Sequence, residues 1–311
     1  MDGIINVYKE KGFTSHDVVA KLRGILHIKK IGHTGTLDPD AVGVLPVCIG
    51  KGTKLCDMIT DTDKTYEAVM LLGISTDTQD ISGNVLSKKD VAVDEKTLIE
   101  TIDSFVGEYK QIPPMYSAIK VNGRKLYQLA REGIEIERRP RDVYIRSIHI
   151  NDMNLQDDEL SVTMTVSCSK GTYIRTLCHD IGEKLGCGAC MKSLSRTRVG
   201  RFYIDDSYTI NQIAALNLKG ELSSIVTPVD SMFDYPEIRI KREYDKLLYN
   251  GNQLPLSAGK ALDGNTDDKV RIYNESGEFI GIYSMDDSGY KPVKIFSVVN
   301  AYNDKKLRGG V

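Results

Sequence analysis

Residues 32–46 read Gly-His-Thr-Gly-Thr-Leu-Asp-Pro-Asp-Ala-Val-Gly-Val-Leu-Pro. Gly32, Gly35, Pro39, Gly43 and Pro46 recur too closely for a helix to pass through. The segment has to be a loop that runs into a buried strand, expected at 44–49. Asp38 stands in its middle. Pro39 biases Asp38 toward an extended backbone, and glycine lets backbone approach a ligand closely. A carboxylate on so stiff a loop can serve as nucleophile, base or metal ligand. It can equally cap a turn.

The rest of the chain bounds the choice. At 311 residues it holds one large domain or two. Hydrophobic residues make up 41% and charged residues 27%, as in soluble globular proteins. No apolar run approaches the ~18 residues of a membrane helix. Met1-Asp2-Gly3-Ile4 lacks the basic and apolar regions of a signal peptide, so a cytoplasmic protein is expected. Cys48, Cys56, Cys168, Cys178, Cys187 and Cys190 are then expected to be reduced thiols. Only Cys187 and Cys190 have metal-ligand spacing, with His179 as the sole nearby third donor. A closed zinc site needs four ligands, so no metal is expected. Without a GxGxxG or P-loop pattern, no nucleotide cofactor is expected either.

The net charge of −2 excludes a uniformly basic nucleic-acid binder, but the charge is unevenly spread. Residues 57–103 hold eleven acids and four bases. Residues 110–146 hold nine bases and four acids, and 168–201 hold seven and two. Two basic stretches can form one positive face on folding, or two ordinary solvated surfaces.

Periodicity predicts a strand at 4–8, then a helix at 16–27 capped by Ser15, with Val18, Val19, Leu22 and Leu26 on one face. It further predicts a strand at 64–72, a helix at 94–105 and paired strands at 144–151 and 160–167. Asn122-Gly123 marks a turn between 117–121 and a helix at 124–132. A helix at 172–185 should end at Gly186 and Gly188. Beyond 230, short strands at 270–273, 279–284 and 294–298 indicate a small β domain. Its boundary falls at 230–237, where Pro228 and Pro236 interrupt helix. The tail 305–311 is expected to fray. Strands and helices alternate without a βαβ rhythm, which indicates the α+β class.

Two further clusters can carry chemistry. Cys168-Ser169-Lys170-Gly171-Thr172-Tyr173-Ile174-Arg175 spans a strand-to-helix junction. Its helix amides and Lys170 suit a phosphate. Arg175 falls in the first helical turn, where the dipole prefers acids, so it calls for a partner elsewhere. Gln111-Ile112-Pro113-Pro114-Met115-Tyr116-Ser117-Ala118-Ile119-Lys120 leads to Tyr127 and Arg131. Bases among tyrosines suit an RNA backbone with stacked bases; they also suit a plain hairpin-helix unit.

Taken together the motifs GHTGTLDPDAVGVLP, KTYEA with TDTQD, QIPPMYSAIKVNGRKLYQLAREG, CSKGTYIRTLCHDIG and LSRTRVGRF resemble one family, the bacterial tRNA pseudouridine-55 synthases of the TruB type. The resemblance covers about residues 4–202, and the part after 234 is similar to a PUA-type RNA-binding domain. It implies a mixed, mostly antiparallel sheet flanked by helices, forming a catalytic domain at 1–233. A thumb-like insertion within about 74–144 would grip the T-loop, and a β-rich PUA-like domain would occupy 234–311. It also implies a monomer that acts on the T-loop and stem of tRNA without metal, cofactor or membrane. In such enzymes the C1′–N1 bond of a uridine breaks, the uracil turns, and C5 joins C1′.

By the same resemblance Asp38 is the catalytic aspartate. It would bond to an electron-poor C1′, stabilise it, or take a proton from C2′, as carboxylates do at oxocarbenium-like centres. Arg175 would keep it ionised. Tyr66 would stack on the flipped uracil, Tyr173 and Leu194 would line the pocket, and His33 would enter the RNA where the base left. Thr36, Val42 and Ser195 depart from the family's usual alanine, threonine and arginine. None of the three removes a group that the reaction needs.

Overall fold

In the computed structural model, which describes residues 1–156, 159–261 and 268–297, the chain opens on strand β1 (Gly3–Lys9). Ile5 and Val7 of β1 face one apolar cluster and Ile4 another, so both faces of the strand are covered. Next come α1 (Ser15–Leu26), β2 (Ile31–His33), β3 (Val42–Ile49), α2 (Cys56–Thr60) and β4 (Lys64–Leu72). The hairpin of β5 (Ile74–Thr76) and β6 (Val85–Lys88) leads to α3 (Glu95–Asp103) and β7 (Gly107–Gln111). After them stand β8 (Lys120–Val121), β9 (Arg124–Lys125), α4 (Leu126–Arg131), β10 (Arg141–Asn154), β11 (Ser161–Cys168) and α5 (Ile174–Leu185). The first unit closes with β12 (Ala189–Val199), β13 (Phe202–Tyr203), α6 (Ile210–Lys219) and β14 (Val226–Thr227).

The central sheet runs β14-β1-β3-β12-β4-β11-β10-β7, with β2 on β3 and β13 on β12. Every pair in it is antiparallel except β12 with β3, so it is the mixed, mostly antiparallel sheet expected. Helices α1 and α6 bury Val18, Val19, Leu22, Ile210 and Ile213 against β1 and β3. Helix α5 sets Ile174, Leu177, Cys178 and Ile181 against Tyr66, Ala68, Met70 and Leu72, the inward-facing positions of β4. A second, β-rich unit follows. It consists of β15 (Glu237–Ile240), α7 (Asp245–Tyr249), β16 (Gly259–Ala261), β17 (Lys269–Tyr273), β18 (Phe279–Asp286) and β19 (Gly289–Ile295). Its sheet order is β16-β15-β17-β18-β19. An aromatic seam of Phe233, Tyr235, Phe279 and Phe296 packs this unit onto Ile4, Val44 and Cys48 of the first sheet.

Several boundaries differ from those expected. The cap of α1 is Thr14, closed with Asp17 in a reciprocal capping box, and not Ser15. Ser15 is buried, and its hydroxyl accepts the Leu37 amide at 2.9 Å. Asn122 and Gly123 both have positive φ (51° and 82°), which makes them a two-residue hairpin turn. Arg124 and Lys125 therefore pair back onto β8, and the helix starts only at Leu126. Helix α5 starts at Ile174, two residues later than expected, and ends at a left-handed Gly186. The last strand begins at Gly289, well before 294, because it pairs with β18 from Asp286 onward. Residue 298 and the tail 305–311 lie outside the described residues.

Candidate active site

Asp38 lies on the loop between β2 and β3, and buried polar groups from three elements hold that loop. Lys9, fully buried at the end of β1, donates to Pro39 O at 3.0 Å and to Phe13 O at 2.7 Å. Ser15 of α1 holds Leu37, as above. Arg196 of β12, 1% exposed, donates from Nε to Val44 O at 2.8 Å and reaches the carbonyls of Gly35 and Thr36. Gly43 has φ 105°, and a Cβ there would sit 2.3 Å from Arg196 O, so the strand can come this close only without a side chain. The loop is stiff because its carbonyls are the acceptors for two buried cations.

Arg175 is the partner its helix position called for. Its Nε lies 2.9 Å from Asp38 Oδ2 and an Nη lies 3.4 Å from Asp38 Oδ1, a two-pronged contact. The guanidinium also donates to Thr78 O at 3.0 Å and Tyr116 O at 2.9 Å, and stands 3.5 Å from Asp80 Oδ2. Arg175 is 6% exposed whereas Asp38 is 42% exposed, so the cation is sealed and the carboxylate opens to a ligand. Burial pushes the Asp38 carboxyl above its ordinary value, and Asp80 adds to this; Arg175 and Lys9 oppose it.

Tyr66, Leu194, Leu37 and Ala41 share one apolar cluster beside this pair. Burial raises the Tyr66 and Tyr173 phenols, and both feel the Asp38 charge. Tyr173 precedes α5, and Gln111 of β7 clamps its main chain. Gln111 accepts the Tyr173 amide at 2.8 Å and donates to its carbonyl at 2.9 Å. His33 stands apart from the carboxylate's partners. Its ring meets His16 edge-on at 5.4 Å, its Nδ1 is buried without a partner, and burial lowers its pKa. Lys170, a phosphate candidate by sequence, stands exposed and pairs with Asp61 at 2.8 Å. Asp80, Lys9 and Arg196 went unrecognised as members of this arrangement. Asp80 lies within the TDTQD motif, but its partner Arg175 stands far along the chain.

Of the basic stretch 110–146, Lys110, Lys120, Arg139 and Arg141 are exposed. Lys125 and Arg131 lie over the Tyr127 ring at 5.5 and 5.3 Å. Among the described residues the six cysteines are free thiols, and no cluster of His, Cys, Asp or Glu is placed to hold a metal ion. No described helix is long and apolar enough to cross a membrane.

Residues 23–174 match the family described as TruB family pseudouridylate synthase (N terminal domain). Residues 175–234 match the one described as tRNA pseudouridylate synthase B C-terminal domain. The tRNA pseudouridine synthase B of Lachnoclostridium phytofermentans is 53% identical over 306 residues, spanning 95% of this chain and 100% of that relative. Its counterpart in Clostridium kluyveri is 45% identical over 298 residues, with 95% and 100% covered. Among solved structures, a chain of a Cbf5-Nop10-Gar1 complex superposes with a TM-score of 0.67 at 28% identity, covering 95% of this chain and 85% of that chain. A chain of an H/ACA RNP bound to a substrate RNA containing 2′-deoxyuridine gives 0.66 at 25%, covering 94% and 84%.

Proposed function

The chain belongs to the TruB family of pseudouridylate synthases, and from that premise we propose that Asp38 is the carboxylate that isomerises uridine 55 in the T-loop of tRNA. It is a tRNA pseudouridine synthase, an isomerase. The observation that carries the assignment of Asp38 is the one-sided burial of its ion pair. Arg175 is sealed in protein while Asp38 faces outward from a fixed loop. A pair built only for stability has no need of that asymmetry.

A uridine flipped out of the RNA stacks on Tyr66, at about 1–3 kcal/mol for a base on an aromatic ring. Tyr173 and Leu194 close the pocket around it. As C1′–N1 breaks, C1′ becomes electron-poor, and the Asp38 carboxylate, kept ionised by Arg175, answers that charge. The uracil turns, C5 bonds to C1′, and C5 gives up its proton. His33, at the loop's edge, fills the space the base left.

Residues 1–233 act as the catalytic domain, with the thumb-like grip in about 74–144, where the exposed bases of 110–146 meet phosphates. Residues 234–311 act as a PUA-like RNA-binding domain, supported by the five-stranded sheet that starts at Glu237. The chain acts as a monomer, and its tRNA substrate supports a cytoplasmic site of action.

The test is tritium release from C5-labelled uridine in an unmodified tRNA transcript, with purified protein alone. One equivalent released, and lost when the T-loop uridine is changed, supports the reading. Because one solved neighbour is a chain of an H/ACA RNP bound to a substrate RNA, a guide-dependent enzyme is the second reading. Activity on the bare transcript excludes it. Binding without release from any transcript points instead to a non-catalytic RNA-binding protein.

A further inference from the structure

We propose that Gln79 is a positioning residue for the reaction, acting through its bond to Thr176 to hold the turn that orients Arg175. This role rests on Asp38 and Arg175 forming the catalytic pair.

Gln79 has φ 64°, in the left-handed region that residues other than glycine adopt at a cost. A glycine would take up this backbone freely, so the side chain has to contribute something that offsets the strain. It does so at one point: Gln79 Oε1 accepts from Thr176 Oγ1 at 2.7 Å. Thr176 is 1% exposed and directly follows Arg175 on α5. The strained residue is thus tied to the helix that carries the guanidinium.

The backbone around it is fixed as well. Met191 of β12 donates to Gln79 O at 3.0 Å, and Ile81 donates back to Met191 O at 3.0 Å. Gln79 N donates to Thr76 O at 3.2 Å. On either side of Gln79 stand two of the Arg175 partners, the Thr78 carbonyl and the Asp80 carboxylate. Thr78 Oγ1 donates to Asp80 Oδ1 at 2.8 Å, which aims the carboxylate. The sharp turn at Gln79 puts both acceptors on the same guanidinium. Without the Thr176 bond the turn can relax, Arg175 loses its fixed azimuth, and its two-pronged contact with Asp38 loosens.

Three groups face Asp38 with charge: Arg175 from α5, Asp80 from the turn and Lys9 from β1. Loosening Arg175 leaves burial and Asp80 less opposed, so the Asp38 carboxyl should titrate at higher pH. That shift separates positioning from mere structural support, which would lower the melting temperature and leave the acid limb in place.

The experiment compares wild type with Q79A, Q79G, T176V and T176S on the full chain, by single-turnover tritium release and tRNA binding across pH. Wild-type release comes first, because its absence would overturn the catalytic reading itself and not the role of Gln79. Given wild-type release, Q79A, Q79G and T176V should each lose about ten- to a hundredfold in the conversion rate, as expected for a misplaced reacting group. Their tRNA affinity should stay unchanged, and their acid limb should move to higher pH. T176S keeps the hydroxyl and should retain the rate. A Q79G enzyme as fast as wild type would overturn the proposal, and so would a Q79A enzyme whose acid limb stays in place.

Discussion

The Asp38 loop and the segment from Ile112 to Pro140 are both rich in turn-forming residues, yet they are held in opposite ways. The loop is fastened by buried polar side chains: Lys9 and Arg196 donate to its carbonyls and Ser15 accepts one of its amides, each from a different element. Beyond the Arg175 bond to Tyr116 O, the segment is fastened mostly near its surface. Arg124 pairs with Glu132 at the solvent edge, the partly buried Arg138 reaches the exposed Glu135 and Pro113 O, and only a few side chains such as Leu126 and Leu129 are buried. Exposed pairs contribute about 0–1 kcal/mol each, whereas a buried group left unpaired costs about 1–3. Chemistry needs a carboxylate at one place, and recognition of an RNA backbone tolerates adjustment. The chain has put its firm bonding around the carboxylate proposed to react.

The contrast can be broken hardest at Asp38 itself. D38N should lower conversion by roughly 10³-fold or more while tRNA still binds, read by tritium release and filter binding. Burial raises the Asp38 pKa, so on acidification the folded enzyme takes up this proton before free aspartate would. Wild-type kcat should therefore fall on an acid limb above the ordinary value of 3.8. The same sign means that the ionised carboxylate weakens the fold at neutral pH. D38N should melt slightly higher than wild type.

Next in size is Gly43→Ala, which forces a Cβ onto Arg196 O in a left-handed backbone. It should cost roughly 2–4 kcal/mol in denaturant unfolding and loosen the loop. Ser15→Ala strips the Leu37 amide of its acceptor, and should cost about 1–3 kcal/mol with a fall in kcat but not in binding. In the other region the expected changes are small and fall on affinity. Lys120→Ala and Arg139→Ala should each weaken tRNA binding and reduce the salt slope by about one, with kcat unchanged. Smallest is Glu132→Gln, expected to leave the denaturant midpoint nearly unchanged because the pair is exposed. A large effect there would erase the contrast.

What could be read in the sequence follows the same division. Arg175 showed itself by standing at the wrong end of a helix dipole, and the structure supplies its partner. Periodicity placed β4 and the apolar face of α1, since those patterns are local. Ser15 was misread because Thr14 and Ser15 are equally good caps in isolation. Only the arrival of Leu37 decides which hydroxyl is free. Lys9 looks like any lysine ending a strand, and Asp80 like any acid in a turn. Both acquire meaning from residues far along the chain, so no local pattern could have disclosed them.

That distance bears on when the site comes into being. Arg196 bonds to Thr36 across 160 residues of chain. At ~5–20 residues per second of synthesis, roughly ten to thirty seconds separate the loop's emergence from the ribosome and the arrival of the side chain that fixes it. During that interval the loop lacks the side chain that fixes it, so the centre proposed at Asp38 cannot be complete before Arg196 has emerged.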